Sequence, residues 1–212
     1  MVIAIDGPAG AGKSTVARGL ATALGITYLD SGAMYRCVAL AVRRAGAHPD
    51  DAREATGVAE DLDIAFDGGR VILGSEDVTQ EIRSPEISAL SSRVSVHPGV
   101  REAMVMRQRE MISRAPYVAE GRDIGTVVSP DSPLKVFLVA DDAERARRRA
   151  AESGRPEGQV RADIADRDRR DTEREHGALR AADDAVKLDT TALPVAEVVE
   201  RIADLARERG LT

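Results

Sequence analysis

The chain alternates short apolar runs with longer stretches in which apolar residues recur every three or four positions. Val2-Ile3-Ala4-Ile5 is contiguous and apolar and stops at Asp6-Gly7-Pro8, which reads as a strand buried on both faces. Residues 13 to 25 place Val16, Leu20 and Leu24 on one stripe and end at Gly25, a helix with a glycine stop. Thr27-Tyr28-Leu29 reads as a second short strand, and a helix from Gly32 to Arg44 follows, with Ser31 at its N-cap. In the region 50 to 95, Asp61 to Phe66 and Val71 to Leu73 flank Asp67-Gly68-Gly69-Arg70, a hairpin signal. Helix resumes over 98 to 114.

Further on, Tyr117-Val118-Ala119 predicts a strand that ends in the polar loop Glu120-Gly121-Arg122-Asp123. Leu134 to Ala140 is a strong strand around Val136-Phe137-Leu138-Val139. A charged helix starts near Asp141, Gly154 to Gly158 breaks it, and a second charged helix runs to about Arg174. Val186-Lys187-Leu188 is the last strand, and Val195, Val198, Val199, Ile202 and Leu205 mark an amphipathic helix. Strands alternating with helices imply an α/β fold: a mainly parallel sheet of about five strands, covered on both faces. The hairpin and the charged helical pair read as insertions on that core.

Gly7-Pro8-Ala9-Gly10-Ala11-Gly12-Lys13-Ser14 has the spacing G-x-x-x-x-G-K-[ST], between a strand and a helix. Glycines let backbone N–H groups turn inward around phosphates, and the helix that follows presents its positive end. Lys13 reaches the outer phosphates as a point charge, Ser14 offers a hydroxyl to Mg²⁺, and Thr15 continues the motif. The segment predicts a nucleoside triphosphate site. Kinases, GTPases and motor ATPases share it. No N-K-x-D guanine segment is present. Leu138-Val139-Ala140-Asp141-Asp142 mimics the acidic strand end of a motor ATPase, but acidic residues opening a helix favour its dipole, and that reading is preferred.

Composition narrows the partners. The 212 residues, 43% hydrophobic, suffice for one compact domain, and no run approaches the roughly 20 apolar residues of a membrane helix. The opening residues show no leader pattern, and Cys37 is the one cysteine, so a reducing, cytoplasmic setting is expected. A net charge of -6 and the absence of Trp argue against nucleic acid. Only three lysines occur, Lys13, Lys135 and Lys187, and one is in the P-loop. The other cations are arginines, suited to bidentate contact with phosphate. Arg167, Arg170, Asp171 and Arg174 share one helix face. Transfer between two phosphates needs such neutralising charge; a solvated helix laced with Arg–Asp pairs has the same spacing.

Read together, several segments resemble the bacterial cytidylate kinases of the nucleoside monophosphate kinase group. They are Ile5 to Lys13, Leu29-Asp30-Ser31-Gly32-Ala33-Met34-Tyr35-Arg36, Ile82-Arg83, Val100-Arg101-Glu102-Ala103, Glu120 to Val128, and Arg167-Asp168-Arg169-Arg170-Asp171. The resemblance implies a P-loop kinase core over 1–30, 114–150 and 175–212, a monophosphate-binding region with a small antiparallel β element over 31–113, and a short helical lid over 151–174. It implies transfer of the γ-phosphoryl group of ATP, with Mg²⁺, to CMP or dCMP. Lys13, Arg122, Arg167 and Arg174 would be catalytic. Ser31, Tyr35 and Arg36 would line the monophosphate pocket, and Arg36 and Arg122 would grip its phosphate. Ser92, Arg101 and Asp123 would meet the cytosine edge, Arg167 and Asp171 the ribose, and Arg174 the phosphates. A surface serine at 92 and core packing at Tyr35 are the plain alternatives. Some members carry aspartate where this chain has Glu120, whose charge is expected to serve Mg²⁺ through water. A kinase for another small acceptor and a non-catalytic ATP-binding regulator remain open. A monomer is expected.

Overall fold

The computed structural model describes residues 1–211. In chain order the elements are β1 (Val2–Asp6), α1 (Lys13–Leu24), β2 (Thr27–Asp30), α2 (Ser31–Arg44), α3 (Ala52–Glu60), β3 (Ile64–Asp67), β4 (Arg70–Leu73), β5 (Glu76–Asp77), α4 (Pro85–Val94), α5 (Pro98–Ser113), β6 (Tyr117–Gly121), β7 (Leu134–Val139), α6 (Asp142–Ser153), α7 (Glu157–Glu173), β8 (Val186–Asp189) and α8 (Val195–Glu208). A 3-10 turn spans Glu81–Arg83 and a π-helical turn Ile124–Val128. The chain divides into two compact units, residues 1–30 with 109–211 and residues 31–108.

The first unit holds a five-stranded sheet in the order β2-β6-β1-β7-β8, with every pairing parallel. β1 is central and buried at all five positions, as its uninterrupted apolar run requires. Ile3, Ile5, Val118, Leu134, Val136 and Leu138 of the sheet pack with Val16 and Leu20 of α1 and Val198 and Ile202 of α8. α1 and α8 approach closely at Gly19, where a Cβ would stand 3.1 Å from Val199 Cγ2. The strand ends are where chemistry gathers: β1 delivers Asp6, β2 Asp30 and β6 Glu120, all buried.

Asp6 braces the site end of the sheet. Its Oδ1 accepts the Ile124 N–H at 2.9 Å and its Oδ2 the Gly125 N–H at 2.8 Å, so the strand that feeds the P-loop is tied to the turn that follows Arg122-Asp123. Burial pushes this carboxyl up to about 6, against the two amide donors that favour its charge.

The second unit is built on α2, with Met34 and Leu40 fully buried, and carries the antiparallel sheet β3-β4-β5. Exposed ion pairs link Arg43 to Glu81 and Glu86, and Arg44 to Glu76 and Glu81. Three elements here exceed the sequence reading: α3, β5 and the full extent of α4. α3 buries only Ala55 and Ala59, too small an apolar stripe to stand out, and β5 has two exposed residues. Their start signals were present: Asp51 accepts the Arg53 and Glu54 N–H groups, and Ser84 accepts that of Ile87, ahead of Pro85. Ser31 is the first residue of α2 rather than its cap. Asp141 stands at the N-cap position of α6, without a side-chain cap bond, and Asp142 lies in its first turn, so these two acids open a helix.

Two measurements follow from this packing. Ile202→Ala removes a fully buried side chain from the α8 face and is expected to cost about 2–5 kcal/mol in urea unfolding, whereas Met106→Ala, at a position 62% exposed, should stay within about 0.5 kcal/mol. Equal effects would refute the core assignment. For Asp6, a folded-state value of about 6 against 3.8 means stability is present below about pH 4 and lost as pH rises through 6. The stability of wild type relative to Asp6→Asn should therefore fall by roughly 2–3 kcal/mol between pH 4 and 7. A relative stability that stays constant or rises would contradict the buried-carboxylate account.

Candidate nucleotide site

The P-loop fills the turn from β1 to α1. Gly7 passes against β7: a Cβ there would lie 2.3 Å from the Leu138 carbonyl oxygen, a contact that excludes any other residue. Gly10 has positive φ and the same constraint, 2.8 Å from the Arg145 carbonyl oxygen. Lys13 opens α1 and is buried, its Nζ donating to the Pro8 carbonyl at 2.7 Å. Burial drives the Lys13 ammonium well below the usual lysine range; repulsion from Arg122 and Arg167 adds to the fall, while Glu120 and Asp168 oppose it. Phosphate oxygens beside a lysine so desolvated would favour its charged form.

Ser14 hydrogen-bonds Glu120, and the Tyr28 hydroxyl donates to Glu120 Oε1 at 2.5 Å. Burial raises the Glu120 carboxyl, Asp30 adds repulsion, and Lys13 opposes both. The longer glutamate side chain thus has a dedicated donor, Tyr28, which the sequence reading did not assign. These oxygens, from Ser14, Glu120 and the neighbouring Asp30, are the hard donors that suit Mg²⁺ shared with phosphates.

Beyond β6 the chain turns into the arginine cluster. Arg122 Nε donates to Asp171 Oδ2 at 2.8 Å and its Nη1 to the Gly7 carbonyl at 2.8 Å. Arg174 Nη1 lies 3.4 Å from Asp171 Oδ1 and its Nη2 3.9 Å from Asp123 Oδ1. Arg167 Nε is 3.8 Å from Asp171 Oδ2. Burial would raise Asp171, but Arg122, Arg167 and Arg174 together hold it below the usual carboxylate range. Of the predicted residues, Lys13, Arg122, Asp123, Arg167, Asp171 and Arg174 are therefore brought together in the first unit. Arg170 is not: its Nε turns back to the Asp166 carbonyl on its own helix. A solvated helix face does not describe this one, since the Arg174 and Asp171 side chains are only 4% and 5% exposed.

The second unit places its own set. Ser31 is buried at the start of α2, and Tyr35 and Arg36 are half-buried one turn on. The Arg101 guanidinium lies 5.5 Å over the Tyr35 ring and its Nη1 donates to the Ser95 carbonyl at 3.4 Å. Ser92 is buried, not on the helix surface, and its Oγ has no hydrogen-bond partner among the described residues. The Tyr35 ring thus carries the Arg101 cation on one face. The residues that sequence reasoning missed are Asp6, Tyr28, Arg145 and Asp168. Asp168 lies inside the quoted Arg-Asp-Arg-Arg-Asp segment, but nothing in the spacing shows which way it faces.

The family model for cytidylate kinase matches residues 3–208. The chain is 49% identical to the cytidylate kinase of Solibacter usitatus, over 99% of this chain and 93% of that protein. It is 50% identical to that of Mycolicibacterium paratuberculosis, over 99% and 96%. Among solved structures, an uncharacterized protein from Eubacterium ventriosum aligns with a TM-score of 0.56 at 14% identity, over 98% of both chains. A protein from Thermus thermophilus aligns with a TM-score of 0.51 at 23% identity, over 100% of this chain and 98% of that one, and both show the fold alone. Near-complete coverage at about half identity, with the P-loop and the arginine cluster in place, makes this chain a member of the cytidylate kinase family.

Proposed function

We propose that this enzyme transfers the γ-phosphoryl group of ATP to CMP or dCMP, giving ADP and CDP or dCDP. The observation that carries the reading is the family match across residues 3–208. The buried Lys13 and the half-buried Arg122, Arg167 and Arg174 are consistent with a reaction in which two phosphate groups meet. The attacking oxygen belongs to the monophosphate and is ionised near neutral pH, so the chain needs no strong general base. Its work is alignment and neutralisation of charge.

Lys13 holds the outer phosphates of the donor. Arg122 grips the acceptor phosphate from the β6 end, with Arg36 on the same group, and Arg167 and Arg174 neutralise the moving phosphoryl group. In this reading the carboxylate of Asp171 keeps the three arginines close until phosphate oxygens are available, and it then turns to the ribose. Ser31 and Tyr35 line the monophosphate pocket. Ser92, Arg101 and Asp123 read the base: Arg101 donates to the cytosine carbonyl and ring nitrogen, and Asp123 accepts from its amino group. A site of this kind rejects a base lacking the matching donors and acceptors more strongly than an apolar slot does. Ser14 and Glu120 would hold Mg²⁺, directly or through water, with Asp30 nearby; when bound, the ion screens the triphosphate charge. Residues 151–174 are proposed as the lid and 31–113 as the monophosphate-binding region.

A coupled assay offers ATP with CMP, dCMP, UMP, AMP or shikimate in turn. CMP or dCMP is expected to be the best acceptor, and ATP consumption should rise sharply when it is added. Another preferred acceptor overturns the assignment, and ATP turnover indifferent to CMP makes the chain a nucleotide-binding regulator. Arg122→Ala is expected to lower kcat by about 10³-fold or more. Activity within about threefold of wild type would remove Arg122 from the site.

A further inference from the structure

Ala9, near the tip of the P-loop, has both backbone polar atoms taken by side chains from distant parts of the first unit. Its N–H donates to Asp168 Oδ1 at 3.1 Å, and its carbonyl accepts from Arg145 Nη1 at 2.9 Å. Arg145 and Asp168 also form an ion pair with each other, their side chains only 9% and 17% exposed. Arg145 is fixed in turn by Asp142, whose Oδ1 accepts from Nη2 at 2.6 Å. A second brace lies one turn along α6, where Arg148 Nη2 donates to the Thr190 carbonyl at 2.6 Å and Thr190 Oγ1 lies 3.2 Å from the Ala11 carbonyl.

Asp168 stands beside Lys13 strongly enough to oppose its loss of charge. A carboxylate there repels a triphosphate, so on electrostatics alone it weakens donor binding. Its second contact explains its place. Ala9 directly precedes Gly10 to Lys13, whose amides form the cradle, and it lies ahead of α1, so no helical hydrogen bond orients its peptide groups. Peptide planes are rigid, and turning either plane flanking Ala9 would swing the next amides away from the phosphates.

We propose that Arg145 and Asp168 are a positioning pair for the donor triphosphate: they clasp both ends of Ala9 and so hold the cradle amides in their binding orientation. The pair touches the loop and not the phosphates. It lies on α6 and α7, and α7 also carries Arg167 and Asp171, so one helix supplies partners both to the loop and to the arginine cluster. The proposal rests on the reading of the P-loop as the ATP site.

Calorimetry with ATP alone, without any acceptor, tests it on wild type, Asp168→Ala and Asp168→Asn. Asp168→Ala should weaken ATP binding about tenfold, the loss of one hydrogen bond to a charged acceptor. Its KM for CMP at saturating ATP should stay within about twofold. Asp168→Asn keeps an oxygen for the Ala9 N–H and should return ATP affinity to within about threefold of wild type. Tighter ATP binding by both variants would show that the carboxylate only repels phosphate and would overturn the proposal. So would wild-type affinity in Asp168→Ala, or equal weakening toward ATP and CMP in both variants. Should Asp168→Ala fail to fold, Arg145→Lys, which shortens the reach to Ala9, is expected to show the same selective loss for ATP. Failure of wild type to phosphorylate CMP would instead count against the proposed function, since the ATP binding arm does not depend on the acceptor.

Discussion

Arg122 is a guanidinium withdrawn from water, 14% exposed, and the arrangement of the site follows from what surrounds it. A buried cation must be paired, and Asp171 supplies the partner at 2.8 Å. The Gly7 carbonyl takes a second donor, which draws the arginine against the start of the P-loop. Asp171 then recruits Arg167 and Arg174 from its own helix and from just beyond it, so one carboxylate is shared by three guanidinium groups. Burial lowers Lys13, and the same crowding adds to the fall. A region so organised is relieved by anions, and two phosphate-bearing substrates are the natural occupants.

The sheet makes this possible by ending β1, β2 and β6 at one edge, each on a buried acid. Those acids do different work. Asp6 is spent on two backbone amides and holds the turn after Arg122-Asp123. Glu120 is held by Tyr28 and Ser14 and faces the lysine. Burial raises both carboxyls, and a carboxylate kept in such a place signals a structural or ligand-directed use, because water would solvate it better.

Much of this was legible along the chain. The P-loop is local, eight residues whose spacing carries its own geometry, and the five core strands are short apolar runs bounded by polar breaks. The family resemblance was legible because its segments keep their order over the whole chain. What was not legible is pairing at a distance. Arg122 and Asp171 are 49 positions apart, and Ala9 and Asp168 are 159 apart, so no periodicity relates them. The helix-face arginines looked alike, yet the fold turns Arg167 and Arg174 inward and leaves Arg170 on its own backbone. α3 and β5 escaped notice because alanine and two exposed acids leave almost no hydrophobic trace.

The central claim is that Asp171 stays charged because buried arginines, Arg122 foremost, outweigh its desolvation. Carboxyl-carbon NMR titration of Asp171 in the ligand-free protein measures this balance directly. The account predicts titration below the usual 3.8 in wild type and a shift upward in Arg122→Ala, where burial gains weight. Titration at or above 3.8 in wild type, or a value unmoved by removing Arg122, would contradict it.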